Sequence, residues 1–298
     1  MAVPRFAFLV HPLVPLAQRL QGLRTARFGV ATGARDGTDP DDCDVLATLH
    51  FRGIEGVIVG VPMLPAQLLA DQEAALRSMH RAVQVAGPVG AVGLGSVLSV
   101  VAGRGTALQE RCGLPVTTGN AATAWAAWKL TESVRGDRPT AVVGGRGTVG
   151  RALVELLGAV ADPQDLREFP VVVGAHTTGG TVAPDRLAPG TTLIDVALPP
   201  TLSGPAGPGV KVVPGERLPL PKGWSRDAWG WIFHVVAGYG VDHVYACLLE
   251  PLVQLLEGRA AAWQNGRALS ADTVRGFGEA ATRHGIVVEP PELKLRPR

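Results

Sequence analysis

Cys247 stands in the most apolar helical stretch of the chain, residues 244–256, with His243 four residues before it and Glu250 three residues after it. Residues three and four apart share a helix face, so this spacing predicts a thiol, an imidazole and a carboxyl side by side. A thiol becomes a nucleophile when a neighbouring base takes its proton, and His243 and Glu250 are residue types suited to that task. Pro251 has no N–H to offer the Cys247 carbonyl, so the helix is expected to bend or open there. The plain alternative is a core cysteine, because free cysteines pack as small hydrophobes.

A second cluster is Gly144, Gly145, Gly147, Thr148 and Gly150, within the run GGRGTVG. Gly145, Gly147 and Gly150 fit GxGxxG: a tight turn, a close backbone approach to a phosphate, and close helix–strand packing. A β-branched strand expected at 140–143 runs into the turn. An amphipathic helix with Val149, Leu153, Leu156 and Leu157 follows it. That is the context a dinucleotide fingerprint requires. The usual ribose-binding acid is not found, because the strand expected at 170–174 runs into Ala-His-Thr-Thr-Gly-Gly. No Arg or Lys stands there for a 2′-phosphate. Residues 175–190 are too loop-like for a full crossover helix, so the domain is expected to be abbreviated. A turn that binds nothing is the alternative reading.

The elements that must position these groups follow from periodicity and turn chemistry. Strands are expected at 6–10, 45–52, 56–61, 140–143, 170–174, 192–197 and 210–213, and a glycine-rich buried strand within 90–101. Helices are expected at 14–23, at 65–86 with Pro65 in the first turn, and after Asn120 as N-cap. Further helices are expected at 227–236, 241–256 and 271–284, the last between Ser270 as N-cap and Gly285 as stop. The fold class is α/β with two domains. An N-terminal α/β substrate domain covers 1–118. A linking helix and a reduced Rossmann-like domain cover 119–225. C-terminal helices in 226–298 carry the candidate nucleophile and pack across both.

Composition sets the outer bounds. The chain has 298 residues, 46% hydrophobic and 18% charged, which excludes general disorder. A net charge of +2 is too balanced for a nucleic-acid binder. Three distant cysteines and no CxxC argue against a disulfide scaffold or a structural zinc, so no metal site is expected. The apolar runs are too short to span a bilayer, and no signal peptide is read, so a cytoplasmic protein is expected. Among the remaining candidates, His284 reads as a helix-end cap, and Trp125 and Trp128 as core or channel wall. Ser96 and Ser99 read as pocket-lining or turn residues, and His11 and His234 as structural.

Taken in order, the motifs resemble the cyanobacterial long-chain acyl-[acyl-carrier-protein] reductases, which form fatty aldehydes. The resemblance runs from His11 and Ile54-Glu55-Gly56 through Thr117-Thr118-Gly119-Asn120 and the Gly144–Gly150 turn. It ends with Ala246-Cys247, Glu250, Glu257-Gly258 and Gly278-Glu279-Ala280. It implies an acyl-enzyme formed on Cys247 from acyl-carrier protein or acyl-CoA and reduced by NADPH to an aldehyde. It places Gly144, Gly147 and Gly150 on the cofactor turn and Thr118 and Asn120 at the domain junction. A βα unit of that family, with its 2′-phosphate-binding residues, is missing here. The alternative is therefore a Cys-dependent acyltransferase or thioesterase with no redox step.

Overall fold

The computed structural model describes residues 3–12, 42–227 and 242–289. The helices expected at 14–23 and across most of 227–236, and the cluster around His234, lie outside the described residues.

The first half is built on a six-stranded sheet. Its strands in chain order are β1 (Arg5–Val10), β2 (Asp44–Phe51), β3 (Ile54–Gly60), β4 (Ala91–Leu94), β5 (Val116–Thr117) and, from later in the chain, β12 (Ser225–Arg226). They lie in the order β12-β2-β3-β1-β4-β5. β3, β1, β4 and β5 are parallel, while at one edge β2 runs antiparallel to β3 and β12 antiparallel to β2. Strand alternation divides β1 between two cores. Ala7 and Leu9 face the helix α2 (Gln72–Ala86) with Met79 and Val83. Phe6 and Phe8 face the opposite side, among Ile58, Leu249 and Leu252. The single helix expected at 65–86 is two, α1 (Pro65–Ala70) and α2. Asp71 breaks it by taking an extended conformation and accepting the Ala74 N–H at 2.8 Å as N-cap of α2.

After the short α3 (Thr106–Cys112), the helix α4 (Asn120–Arg135) leads to a five-stranded, wholly parallel sheet. Its strands are β6 (Thr140–Val143), β7 (Val160–Ala161), β8 (Val171–Gly174), β9 (Thr192–Asp195) and β10 (Lys211–Pro214), in the order β10-β9-β8-β6-β7. β6 turns directly into α5 (Thr148–Leu157). β7 and β8 flank β6 on its two sides. This is the doubly wound order with its third strand absent beyond β7. The mixed α/β architecture with an abbreviated second sheet is therefore as expected.

The chain then returns to the first half. β11 (Arg217–Pro219) pairs with β13 (His243–Tyr245), which feeds α6 (Ala246–Leu256). α7 (Ala271–Arg283) closes the molecule, capped by Ser270 accepting the Thr273 N–H at 3.1 Å. Phe277 of α7 is fully buried, edge-on to Trp125 of α4 and to Trp263.

Candidate functional site

Cys247 is the second residue of α6, which begins directly after β13. The helix begins later than periodicity predicts, because 243–245 pair as a strand with β11. This corrects the expected helix face: His243 lies on β13 opposite Pro219, exposed, and is not among the residues around the thiol. Pro251 does not break α6, which runs on to Leu256 with the proline ring against Gly93 of β4.

The thiol opens on a cleft with a cavity of about 170 Å³, walled by both halves of the molecule. Ser96 and Arg104 come from the first half, Thr148 and His176 from the second, and Glu216 and Tyr245 from the returning chain. Burial pushes the thiol up to about 12, and the Glu250 carboxyl pushes it the same way. The Leu248 N–H, in the first turn of the helix, works against both. At rest the group is a thiol, so a proton acceptor is needed before it can attack.

Glu250 is fully buried one turn along α6. Thr117 donates its hydroxyl to Oε1, and the Ala122 N–H donates to Oε2 at 3.0 Å. The carboxyl thus caps the N-terminus of α4 and ties the 117–120 loop to α6. Burial pushes it up to about 7 against those donors. Its role here is to hold the loop. That loop must pass very close to the thiol: Gly119 has φ +75°, and a side chain there would overlap Cys247 Cβ. Gly119, not Asn120, is the N-cap of α4. Asn120 instead donates its amide to Thr118 Oγ1 at 2.8 Å and to Gln264 Oε1 at 3.2 Å. Thr118 donates its hydroxyl to Gln264 as well. Thr118 and Asn120 line the cleft, yet their polar atoms are engaged by Gln264, a residue no sequence pattern marked.

Ser96 stands in a strained wall. It has φ +49°, Ala102 +47° and Arg104 +60°, three non-glycine residues in the left-handed region within nine positions. His11 anchors this wall by accepting the Val97 N–H at 3.2 Å on Nε2, with Nδ1 3.0 Å from the Pro12 carbonyl. The Ser96 hydroxyl is buried and unpartnered among the described residues.

The glycine turn lies across the cleft. Gly147 and Thr148 line it, while Gly144, Arg146 and Asp162 line an adjoining hollow of about 410 Å³ that shares Gly147 and His176 with the cleft. Gly150 packs so closely on the Gly144 carbonyl that any side chain there would overlap it. The expected absence of an acid is corrected. The second strand of this sheet is β7, and Asp162 follows it directly. Its Oδ1 accepts the Gly144 N–H at 2.6 Å and the Gly145 N–H at 3.3 Å. The chain's own carboxylate thus fills the first two amides of the turn. The sequence reading missed this because β7 is only two residues long and both are exposed.

No family model matches the chain. A curated relative is Aminotransferase PigE from a Serratia species, 28% identical over 284 residues. The match covers 79% of this chain and 32% of the relative, so the chain spans about a third of that protein's length. Among solved structures, a 5,10-methylenetetrahydrofolate dehydrogenase from the silkworm Bombyx mori aligns over 72% of this chain and 82% of its own. It has 16% identity and a TM-score of 0.35. A bifunctional methylenetetrahydrofolate dehydrogenase/cyclohydrolase from Campylobacter jejuni aligns over 65% and 71%, at 11% identity and a TM-score of 0.30. All three are enzymes.

The named relative overturns the expected acyl-carrier-protein reductase. Aldehyde formation from an acyl thioester, NADPH as its reductant and acyl-carrier protein or acyl-CoA as partner have no support in that relative's name. The Asp162 carboxylate at the turn is a physical reason against a phosphate at those two amides. An aminotransferase name points instead to pyridoxal phosphate, which is held by a lysine amine. The chain has four lysines. Lys129, Lys211 and Lys222 are exposed and line neither cavity, and Lys294 lies outside the described residues. The described cleft does not fit that cofactor. Among the described residues no cluster of metal-ligating side chains is found, and no helix is long and apolar enough to cross a membrane.

Proposed function

We propose that this chain is an enzyme working through a covalent adduct between Cys247 and the carbonyl carbon of a substrate lying in the cleft. One observation carries the reading: the thiol stands in the first turn of α6, facing a cavity whose walls come from both halves of the fold. In the step, the Sγ–C bond forms, the carbonyl π pair moves to oxygen, and the thiol proton leaves to an acceptor. The α6 N-terminus favours negative charge at this position. Arg104, in the cleft wall and without an ion pair among the described residues, suits the anionic end of a substrate. Gly119 and Glu250 set the floor on which Cys247 sits.

The relative's name is compatible with such a unit. An aminotransferase exchanges an amine for a carbonyl, and a segment that holds a carbonyl compound would serve a longer protein of that activity. The test is mass spectrometry of the intact chain and its peptides after exposure to p-nitrophenyl acetate. Acetylation of Cys247, absent in Cys247→Ala, is expected. Labelling confined to other residues would sink the reading.

A further inference from the structure

We infer that Glu216 is the group that takes the proton from Cys247. The inference rests on the proposed role of Cys247. Three independent placements converge on it. Glu216 lines the same cavity as the thiol, whereas His243 does not and Glu250 is sealed beneath Thr117 and Ala122. Its position is set by pairing: β11 and β13 are in register at Arg217 and Tyr245, and the Glu216 carbonyl accepts the Ala246 N–H at 2.8 Å. Glu216 is thereby fixed beside the residue that precedes Cys247. Its side chain is also largely out of water, at 10% exposure, a costly place for a carboxyl that has no task.

Four charged or titratable groups face it. Arg217 on β11 lies 3.3 Å from Oε1 through its Nε, Asp195 stands at the end of β9, Tyr245 on β13 and Cys247 on α6. Burial raises the Glu216 carboxyl, and Asp195 adds to this while Arg217 opposes it. A raised carboxyl is a stronger base toward a thiol, which is the direction the task needs. In alkylation the Cys247 S–H proton passes to the Glu216 carboxylate as the Sγ–C bond forms and iodide leaves.

The sign of a single measurement separates this from a mere ion pair. Cys247 is alkylated with iodoacetamide at neutral pH and followed by peptide mass, with Cys43 and Cys112 as internal references. If Glu216 is the base, Glu216→Gln slows Cys247 alkylation by about tenfold or more. If Glu216 only repels the thiolate, the same change removes a negative charge and speeds it. An unchanged or faster rate overturns the inference. Glu216→Asp carries the test if the amide variant does not fold: the retracted carboxylate slows the reaction, and an unchanged rate overturns it. In Glu216→Ala, added formate is expected to restore the rate, which a purely structural role would not allow. Loss of Cys247 acetylation in the unsubstituted chain would count against the covalent reading itself, independently of Glu216.

Discussion

At the scale of single residues, the environment of the thiol decides its chemistry. Cys247 is pushed up to about 12, so in Glu216→Gln, with no carboxylate to take the proton, its alkylation is expected to climb steadily from pH 7 to pH 10, lagging behind a free thiol. An early plateau would contradict that. His243→Ala is expected to leave the rate unchanged, since the imidazole lies on β13 and away from the cleft. Glu250 gives a stability signature. Its folded carboxyl is raised to about 7 from 4.5, so the folded chain holds the proton longer than the unfolded one. Its stabilising effect is complete below pH 4.5 and is lost as pH rises to about 7. The loss is of order 3 kcal/mol for a buried shift of this size. Denaturant unfolding should show that decline, and Glu250→Gln should flatten it within the window while weakening the loop overall.

At the scale of elements, two close approaches hold the cleft walls. Gly119→Ala forces a left-handed non-glycine residue against Cys247 Cβ, with an expected cost of about 1–3 kcal/mol. Because the clash falls on the thiol's own backbone, Cys247 alkylation should change with it. Gly150→Ala meets the Gly144 carbonyl instead, so it should lower the melting temperature while leaving the alkylation rate alone. Equal effects of both variants on the thiol would mean that the turn and the loop are coupled in a way the contacts do not show. Strand β6, helix α5 and the capping of α7 were legible because each rests on local chemistry: β-branched runs, apolar spacing and a serine cap. The break at Asp71 and the strand before α6 were not. Asp71 competes locally for an amide inside a periodic helix pattern, and 243–245 become a strand only because β11 is there to pair with them.

At the scale of the whole molecule, α7 stitches the halves together. It packs on α4, α5 and α6, and Phe277 sits edge-on to two tryptophans, 5.7 Å from Trp125 and 5.5 Å from Trp263. Phe277→Ala should cost about 3–5 kcal/mol, as for a large fully buried ring. Unfolding followed by tryptophan fluorescence and by far-UV circular dichroism should still coincide. Separation of the two curves would show that the sheets unfold as separate units.

The sequence by itself determined the α/β class, the glycine turn between β6 and α5, and the residue types, Cys247 among them, that are available for chemistry. These follow from period, propensity and residue chemistry, all of which act over a few residues. Tertiary structure alone decided which groups meet that thiol. Gly119 reaches the thiol, and Gln264 the loop beside it, across more than a hundred residues of chain, Glu216 is brought there by the pairing of β11 with β13, and Asp162 reaches the glycine turn through a strand too short to read. The composition of a site depends on long-range register, which no local pattern encodes, and so the carboxyl that lines the cavity with Cys247 is Glu216, next to β11, while His243 lies on β13 away from it.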